Sequence, residues 1–271
     1  MNKISVSFIG YGNLAYRLSI AFKMAGIEVP YICGRDNGEA AKLAHILNKQ
    51  EYASTTLVKT KSTTTPSSID GSDIVLLAVP DDAIVGVAQK SLNEIPGIRQ
   101  GETVVLHCSG ASDISLLSDI PHHGVLYPLM TLSKTKPIDT GLIPFFLEYS
   151  DNNVKDRLIG ICTAIGSQYK ESNSAERLKL HLAAVYISNF VNYLYGLAYD
   201  ISAPNQMFLM QLAIETVRKA FLYGHPKMVQ TGPAKRGDVE TLHKHLELLE
   251  SMPEHKFIYE AMSKLIQMNE S

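Results

Sequence analysis

The chain is poor in the features that mark several functional classes. Its 271 residues hold three cysteines, Cys33, Cys108 and Cys162, far apart and without a CxxC pair. That excludes a zinc ribbon and a disulfide framework, and points to reduced buried thiols in a cytosolic protein. A basic excess is lacking too: 25 Lys and Arg against 27 Asp and Glu give a formal net charge of −2. Binders dominated by phosphate neutralisation carry such an excess, so nucleic acid is not an expected partner. No run approaches the roughly 18 apolar residues of a membrane span. The chain enters a strand-like stretch at Ile4 without the apolar block of a signal peptide. The expectation is a soluble, cytoplasmic protein. His122 with His123, and His243 with His245, lack metal-ligand spacing, so no metal is expected.

What is present suits a globular chain with a sizeable core: 45% of residues are hydrophobic and 19% charged. At roughly 150 residues per domain, the length suits two domains. The first half alternates strand and helix signals. Residues 4–9 are β-rich and end at Gly10. Leu14, Leu18, Phe22 and Ala25 recur at helical spacing, and Gly26 stops that helix. Residues 28–33 form a second strand, and a helix runs through Ala40, Leu43, Ala44 and Leu47. Residues 60–68 read as a polar surface loop. The apolar run from Ile74 to Val79 suits a strand buried on both faces. A helix over 82–92 and strands at 103–107, 124–127 and 144–149 follow. This alternation predicts an α/β doubly wound parallel sheet.

The second half changes period. From about residue 175 the pattern is helical. One mostly apolar helix spans 175–200 and carries Leu178, Leu182 and Val185. Pro204 suits the first turn of a helix reaching Tyr223. Asp238 is a plausible N-cap, and a last helix follows Pro253.

The most informative motif is Gly10-Tyr11-Gly12-Asn13-Leu14-Ala15, a GxGxxA sequence. Gly10 permits the strand-to-helix turn, Gly12 lets the backbone approach a pyrophosphate, and Ala15 allows close helix–strand packing. The helix beginning near Asn13 and Leu14 points free N–H groups at the anion. The motif lies inside a βαβ unit of about 30 residues, as a dinucleotide site requires. The second strand ends Cys33-Gly34-Arg35-Asp36. Arg35 can pair with a 2′-phosphate and stack on adenine, and Gly34 leaves room for that phosphate, which favours NADP over NAD. Asp36 is the alternative, as the acid that holds a ribose 2′-OH.

Ligands sit outside the carboxyl ends of parallel strands. Val79 and Pro80 end one strand and fall near a nicotinamide ribose. His107-Cys108-Ser109-Gly110 ends the next. Ser109 is a candidate to hydrogen-bond the reacting carbonyl or imine; His107 reads equally as a functional and as a structural histidine. Tyr127 and Thr131 are candidates to line the same cleft. His181 and Asn189 lie on one helix, roughly 80° apart, so they share a broad face. Arg236 can reach an anionic substrate or the cofactor; alternatively it pairs locally beside Asp238.

GYGNLA at 10–15, AVPDDAI at 78–84, HCSGA at 107–111, YPLMTLS at 127–133, HLAAVYISNF at 181–190 and TGPAKRGDVETLHKHL at 231–246 together resemble a little-characterised bacterial family of NADP oxidoreductases. That family is similar to pyrroline-5-carboxylate reductase, ketopantoate reductase and the 6-phosphogluconate-dehydrogenase-like group. The resemblance covers nearly the whole chain. It implies a Rossmann domain that binds NADP, a helical C-terminal domain that often builds a dimer, and a cleft between them. Two departures stand out. Related β-hydroxyacid dehydrogenases place a catalytic Lys four residues before an Asn, and here Val185 precedes Asn189. Where members read His-Pro-Leu, this chain has Tyr127-Pro128-Leu129. His181 is the nearest titratable replacement for the Lys, with an ordinary pKa suited to proton transfer.

The expected organisation is an NADP-binding Rossmann domain over 1–152 and an all-helical substrate and dimerisation domain over 153–271. The expected activity is hydride transfer between NADPH and a small C=O or C=N substrate. Gly10, Gly12, Asn13, Leu14, Arg35, Val79 and Pro80 are the expected cofactor contacts. His181, Ser109 and Asn189 are the candidate catalytic residues, and Tyr127 and Arg236 the substrate contacts. The alternatives are a non-catalytic dinucleotide sensor and a hydroxyacid or prephenate-type dehydrogenase.

Overall fold

The structure, a computed structural model, describes residues 4–49, 58–136 and 139–268. It divides into two compact units, residues 1–188 and 189–271. The first unit is built on an eight-stranded sheet. Its early elements are β1 (Val6–Ile9), α1 (Asn13–Met24), β2 (Tyr31–Cys33), α2 (Asn37–Leu47), β3 (Lys61–Thr63), β4 (Ile74–Leu77) and α3 (Ile84–Glu94). There follow α4 (Pro96–Arg99), β5 (Val104–His107), β6 (His123–Pro128), β7 (Phe145–Tyr149), α5 (Asn152–Ile165), β8 (Tyr169–Glu171) and α6 (Ser174–Val185).

The strand order is β3-β2-β1-β4-β5-β6-β7-β8. The first six strands run parallel, in the order of a doubly wound dinucleotide-binding sheet. The chain reverses direction across the sheet between β1 and β4, which creates a switch-point crevice at their carboxyl ends.

Strand periodicity explains the two cores. On β1 and β4, Val6, Phe8, Ile74 and Leu76 enter one core with Leu18 and Phe22 of α1. Ile9, Val75 and Leu77 face the other way and pack with Ile84 and Ala88 of α3. Alternate side chains point to opposite faces. Covering both faces therefore requires the continuous apolar runs seen in the sequence.

Two expectations change. Residues 60–68 are not all loop: β3 pairs with β2 through Tyr31–Lys61 to Cys33–Thr63. Thr60 is buried and donates to the Val29 carbonyl at 2.7 Å, so these threonines complete the sheet edge. β7 runs antiparallel to β6. The described part of their connection carries only a 3₁₀ turn at Thr140–Leu142, not the crossover helix that a parallel return needs. The first compact unit ends at residue 188. Val154, Leu158, Ile161 and Cys162 of α5 join the sheet core, and β8 pairs with β7, which keeps both elements in the first unit.

The second unit is helical. A π-helical turn, Tyr186–Phe190, follows α6 and leads to α7 (Val191–Ser202). The 175–200 pattern is thus two helices around a π turn. After it come α8 (Met210–Leu222), α9 (Pro233–Arg236), α10 (Val239–Leu248) and α11 (Pro253–Met268). Pro204 precedes a 3₁₀ turn at Gln206–Leu209 rather than opening α8. Among the described residues, no helix is long and apolar enough to cross a membrane.

Candidate functional site

The turn after β1 is shaped by backbone packing. Gly10 has φ of +121°, and a Cβ there would stand 2.1 Å from the Ala78 carbonyl oxygen. Its N–H donates to the Cys33 carbonyl at 2.8 Å, while the Ala78 N–H donates to the Ile9 carbonyl at 2.8 Å. β1, β2 and β4 are thereby joined at the switch point. Gly12 is the N-cap of α1 and no side chain caps that helix. A Cβ on Gly12 would meet nothing within 4 Å, so the backbone is open to a ligand. The first-turn N–H groups of Asn13 and Leu14 form an anion cradle of the kind a pyrophosphate needs. The Asn13 side chain is already used, accepting from the Lys134 N–H at 3.3 Å. Arg17 donates to the Ser133 and Lys134 carbonyls and holds the same loop on α1.

The end of β2 separates the two readings of its acid and base. The Asp36 carboxylate caps α2, accepting from Gly38 N–H at 2.7 Å and Glu39 N–H at 3.3 Å. Arg35 is exposed and has no ion pair among the described residues. Gly34 packs under a ring: a Cβ there would stand 2.4 Å from the Tyr11 ring. Val79 and Pro80 leave β4 and lead into a 3₁₀ turn at Asp81–Ala83.

A second cluster forms at the same end of the sheet, on β5 and β6. His107 is fully buried, and its Nδ1 accepts from the Ser109 N–H at 3.2 Å. Burial, aided by the Arg177 charge, pushes its pKa down to about 4. His107 is therefore neutral near pH 7, and its buried Nε2 has no hydrogen-bond partner among the described residues. Ser109 is buried, and its Oγ accepts from the Ala111 and Ser112 N–H groups at 3.1 and 2.9 Å. Its hydroxyl hydrogen remains available to donate. Burial raises the Cys108 thiol pKa, which makes it an inert thiol.

Tyr127 and His181 meet directly. The Tyr127 hydroxyl lies 3.0 Å from His181 Nδ1, with ring centroids 5.9 Å apart at 73°. Tyr127 is buried and burial raises its pKa, while His181 is half-buried. Gly110 makes the meeting possible: a Cβ there would stand 2.6 Å from His181 Nδ1 and 2.7 Å from Tyr127 Cζ.

α6 is held in place by its first two turns. Asn173 and Glu176 form a capping box. Ser174 donates to Glu148 on β7, through N–H at 3.0 Å and through Oγ at 2.9 Å. Arg177 is fully buried; it pairs with Glu148 and donates to the Ser112 carbonyl. His181 follows one turn later on the same face. Leu178 and Leu182 of this helix are exposed, whereas Arg177 is buried. Local pattern did not reveal Arg177 or Glu148. The available signal was an Arg one turn before His181.

Asn189 and Arg236 belong to the second unit. Asn189 lies in the π turn, which interrupts the ideal helical count relating it to His181. Arg236 is exposed, 4.0 Å from Asp238. Asp238 caps α10 as expected, accepting from Thr241 N–H at 3.1 Å and Thr241 Oγ1 at 2.8 Å.

Comparison with known proteins agrees with this layout. A Rossmann-like domain model matches residues 1–132. The model described as domain of unknown function DUF2520 matches residues 143–266. A Bacteroides fragilis protein provisionally named an NADP oxidoreductase superposes with a TM-score of 0.85 at 28% identity, covering 98% of each chain. A Thermotoga maritima protein superposes at 0.65 with 22% identity and 97% coverage of each chain. The NADP-bound pyrroline carboxylate reductase of Plasmodium falciparum shares the fold at a TM-score of 0.56 and 14% identity, over 98% of this chain and 99% of that one. No curated protein matches the sequence. The chain thus matches a Rossmann-like domain followed in sequence by DUF2520.

Proposed function

We propose that the protein is an NADP-dependent oxidoreductase acting on a small substrate with a reactive C=O or C=N bond. The observation that carries this reading is the Tyr127–His181 pair at the carboxyl edge that also bears the Gly10–Gly12 cradle. Two interstrand steps separate β4 from β6, about 10 Å, the scale of a nicotinamide riboside. The Bacteroides fragilis relative supports NADP by its name, and Arg35 supports it by chemistry.

The residues take the following roles. The Asn13 and Leu14 N–H groups hold the pyrophosphate over Gly10 and Gly12. Arg35 holds the 2′-phosphate, and the Val79–Pro80 backbone borders the nicotinamide ribose. When bound, the nicotinamide supplies or accepts the hydride at C4. Ser109 donates its hydroxyl hydrogen toward the reacting group. His181 faces the heteroatom of the reacting bond as its donor. Asn189 and Arg236 are proposed substrate contacts on chemical grounds, an amide and a guanidinium suited to polar and anionic groups.

We further propose a homodimer through the helical unit. Among its described residues only Ala234 and Leu249 are buried, while Phe208, Leu212, Phe221 and Leu222 are exposed. Such a surface needs a cover in water.

The test is NADPH titration by fluorescence, then turnover against 2-oxoacids, imines and aldehydes. Oxidation of NADPH by one class supports the proposal. Tight binding with no turnover on any of them favours a dinucleotide sensor, the reading to which Val185 in place of Lys points. Reduction of NADP⁺ by a hydroxy acid alone favours a dehydrogenase.

A further inference from the structure

We propose that Tyr127 is a positioning residue: its hydroxyl donates to Nδ1 of His181, which places the imidazole proton on Nε2 and makes the neutral ring a hydrogen-bond donor to the substrate. The proposal rests on the reading of His181 as the donor in an oxidoreductase site.

The direction of the hydrogen bond follows from satisfaction of the buried groups. Tyr127 is buried, and among the described residues its hydroxyl has one partner, His181 Nδ1 at 3.0 Å. Were Nδ1 protonated, the phenolic hydrogen would be left without an acceptor in a buried site, an unfavourable arrangement. With the hydroxyl as donor, Nδ1 is the acceptor and Nε2 carries the hydrogen. The hydrogen bond at one ring nitrogen sets the state of the other.

The ring cannot slip out of this arrangement easily. Gly110 packs against both partners, so closely that no Cβ fits beside His181 Nδ1 and Tyr127 Cζ. α6 is fixed one turn earlier, where Arg177 pairs with Glu148 of β7. Those two charges compensate each other one turn before His181.

The chemistry balances without an imidazolium. As hydride reaches the carbon of a C=O substrate, the π pair moves to the oxygen. The Nε2–H donates a hydrogen bond to that developing charge, as a preorganised oxyanion donor does. The buried phenol resists ionisation, since burial raises its pKa, so it does not hand its proton on through Nδ1. The heteroatom then takes its proton from water, and Tyr127 and His181 end the step as they began it.

The experiment is ¹⁵N NMR of the histidine side chains in the free protein, at a pH where His181 is neutral, with Tyr127→Phe as the variant. The Phe ring keeps the packing against Gly110 and removes only the oxygen. The wild type is expected to show a pyridine-type Nδ1 shifted by hydrogen bonding and a protonated Nε2. In the variant that hydrogen-bond shift is lost. A protonated Nδ1 in the wild type overturns the proposal, as does an Nδ1 signal unchanged by the substitution. With a substrate from the panel, Tyr127→Phe is expected to lower kcat roughly tenfold with KM unchanged, a share of what a positioned donor supplies. A raised KM at unchanged kcat places the hydroxyl on substrate and overturns the positioning role. Silence across the panel refutes the oxidoreductase reading, while the nitrogen signals still decide where the proton sits.

Discussion

The Ala78 carbonyl oxygen occupies the space that a side chain on Gly10 would need, 2.1 Å from the Cβ position. Gly10 also has φ of +121°, so two independent constraints meet at one residue. Gly10→Ala is expected to cost at least about 1–3 kcal/mol from backbone conformation alone, with the clash adding to it. Gly12→Ala meets open space, and its cost stays within about 1 kcal/mol as a change of N-cap. Both substitutions weaken NADPH binding, but only Gly10→Ala lowers the urea midpoint substantially. If Gly12→Ala binds NADPH like the wild type, the cradle is misplaced.

Arg35 and its neighbour Asp36 make separable predictions. Asp36 spends its carboxylate on the Gly38 and Glu39 N–H groups. Asp36→Ala is expected to cost about 1 kcal/mol in stability and to leave the preference between NADPH and NADH unchanged. Arg35→Ala is expected to leave stability within about 0.5 kcal/mol and to weaken NADPH selectively, by about tenfold or more. Equal loss of NADPH and NADH affinity would remove Arg35 from the 2′-phosphate site.

The sheet and its nucleotide turn were legible because their signals are local. β1, the GxGxxA turn and α1 follow one another between Val6 and Met24, and each step has its own period or backbone demand. The Tyr127–His181 meeting was only half legible. Each residue stands out by itself in the sequence, but 54 positions separate them and no local pattern pairs them. The buried side of α6 is not legible in the sequence for the same reason. The partner that makes a buried Arg177 tolerable, Glu148, lies 29 positions away on β7. Leu178 and Leu182 are exposed, and hydrophobic spacing alone does not say which surface will be covered.

His107 gives a stability prediction with a definite sign. Its pKa falls from the ordinary 6.5 to about 4 on burial. Between those values the unfolded chain binds more protons than the folded one, so stability rises with pH. The contribution is fully present above pH 6.5 and drains away as the pH falls toward 4, about 3 kcal/mol in all. Urea midpoints at pH 5 and pH 7.5 test this, with His107→Asn as control. Asn keeps an acceptor for the Ser109 N–H and cannot charge, so its profile over that interval should be flatter than wild type. Parallel profiles would show that His107 is not buried neutral.

Arg177 and Glu148 predict a non-additive pair. Arg177→Met leaves a carboxylate facing a largely dry site and is expected to cost about 3–5 kcal/mol. Replacing Glu148 by Leu in the same chain removes the stranded charge and should recover much of that loss. Denaturant unfolding of the two single variants and the double variant measures the coupling. Simple addition of the single losses would mean that the two side chains are not energetic partners.

The helical unit makes a prediction about concentration. Its helices carry apolar side chains outward, and a groove of about 490 Å³ beside α7 and α8 is lined by Tyr195, Tyr199, Met207, Met210 and Val217. With only Ala234 and Leu249 buried among its described residues, the unit has little core of its own. If a second copy supplies the missing cover, association and folding are linked, and the thermal midpoint rises with protein concentration. Light scattering should then give twice the chain mass. Phe221→Glu, on an exposed position of α8, should lower both the mass and the midpoint together. A concentration-independent midpoint with a single-chain mass would mean that the helical faces meet a different partner, or that the unit holds together without one.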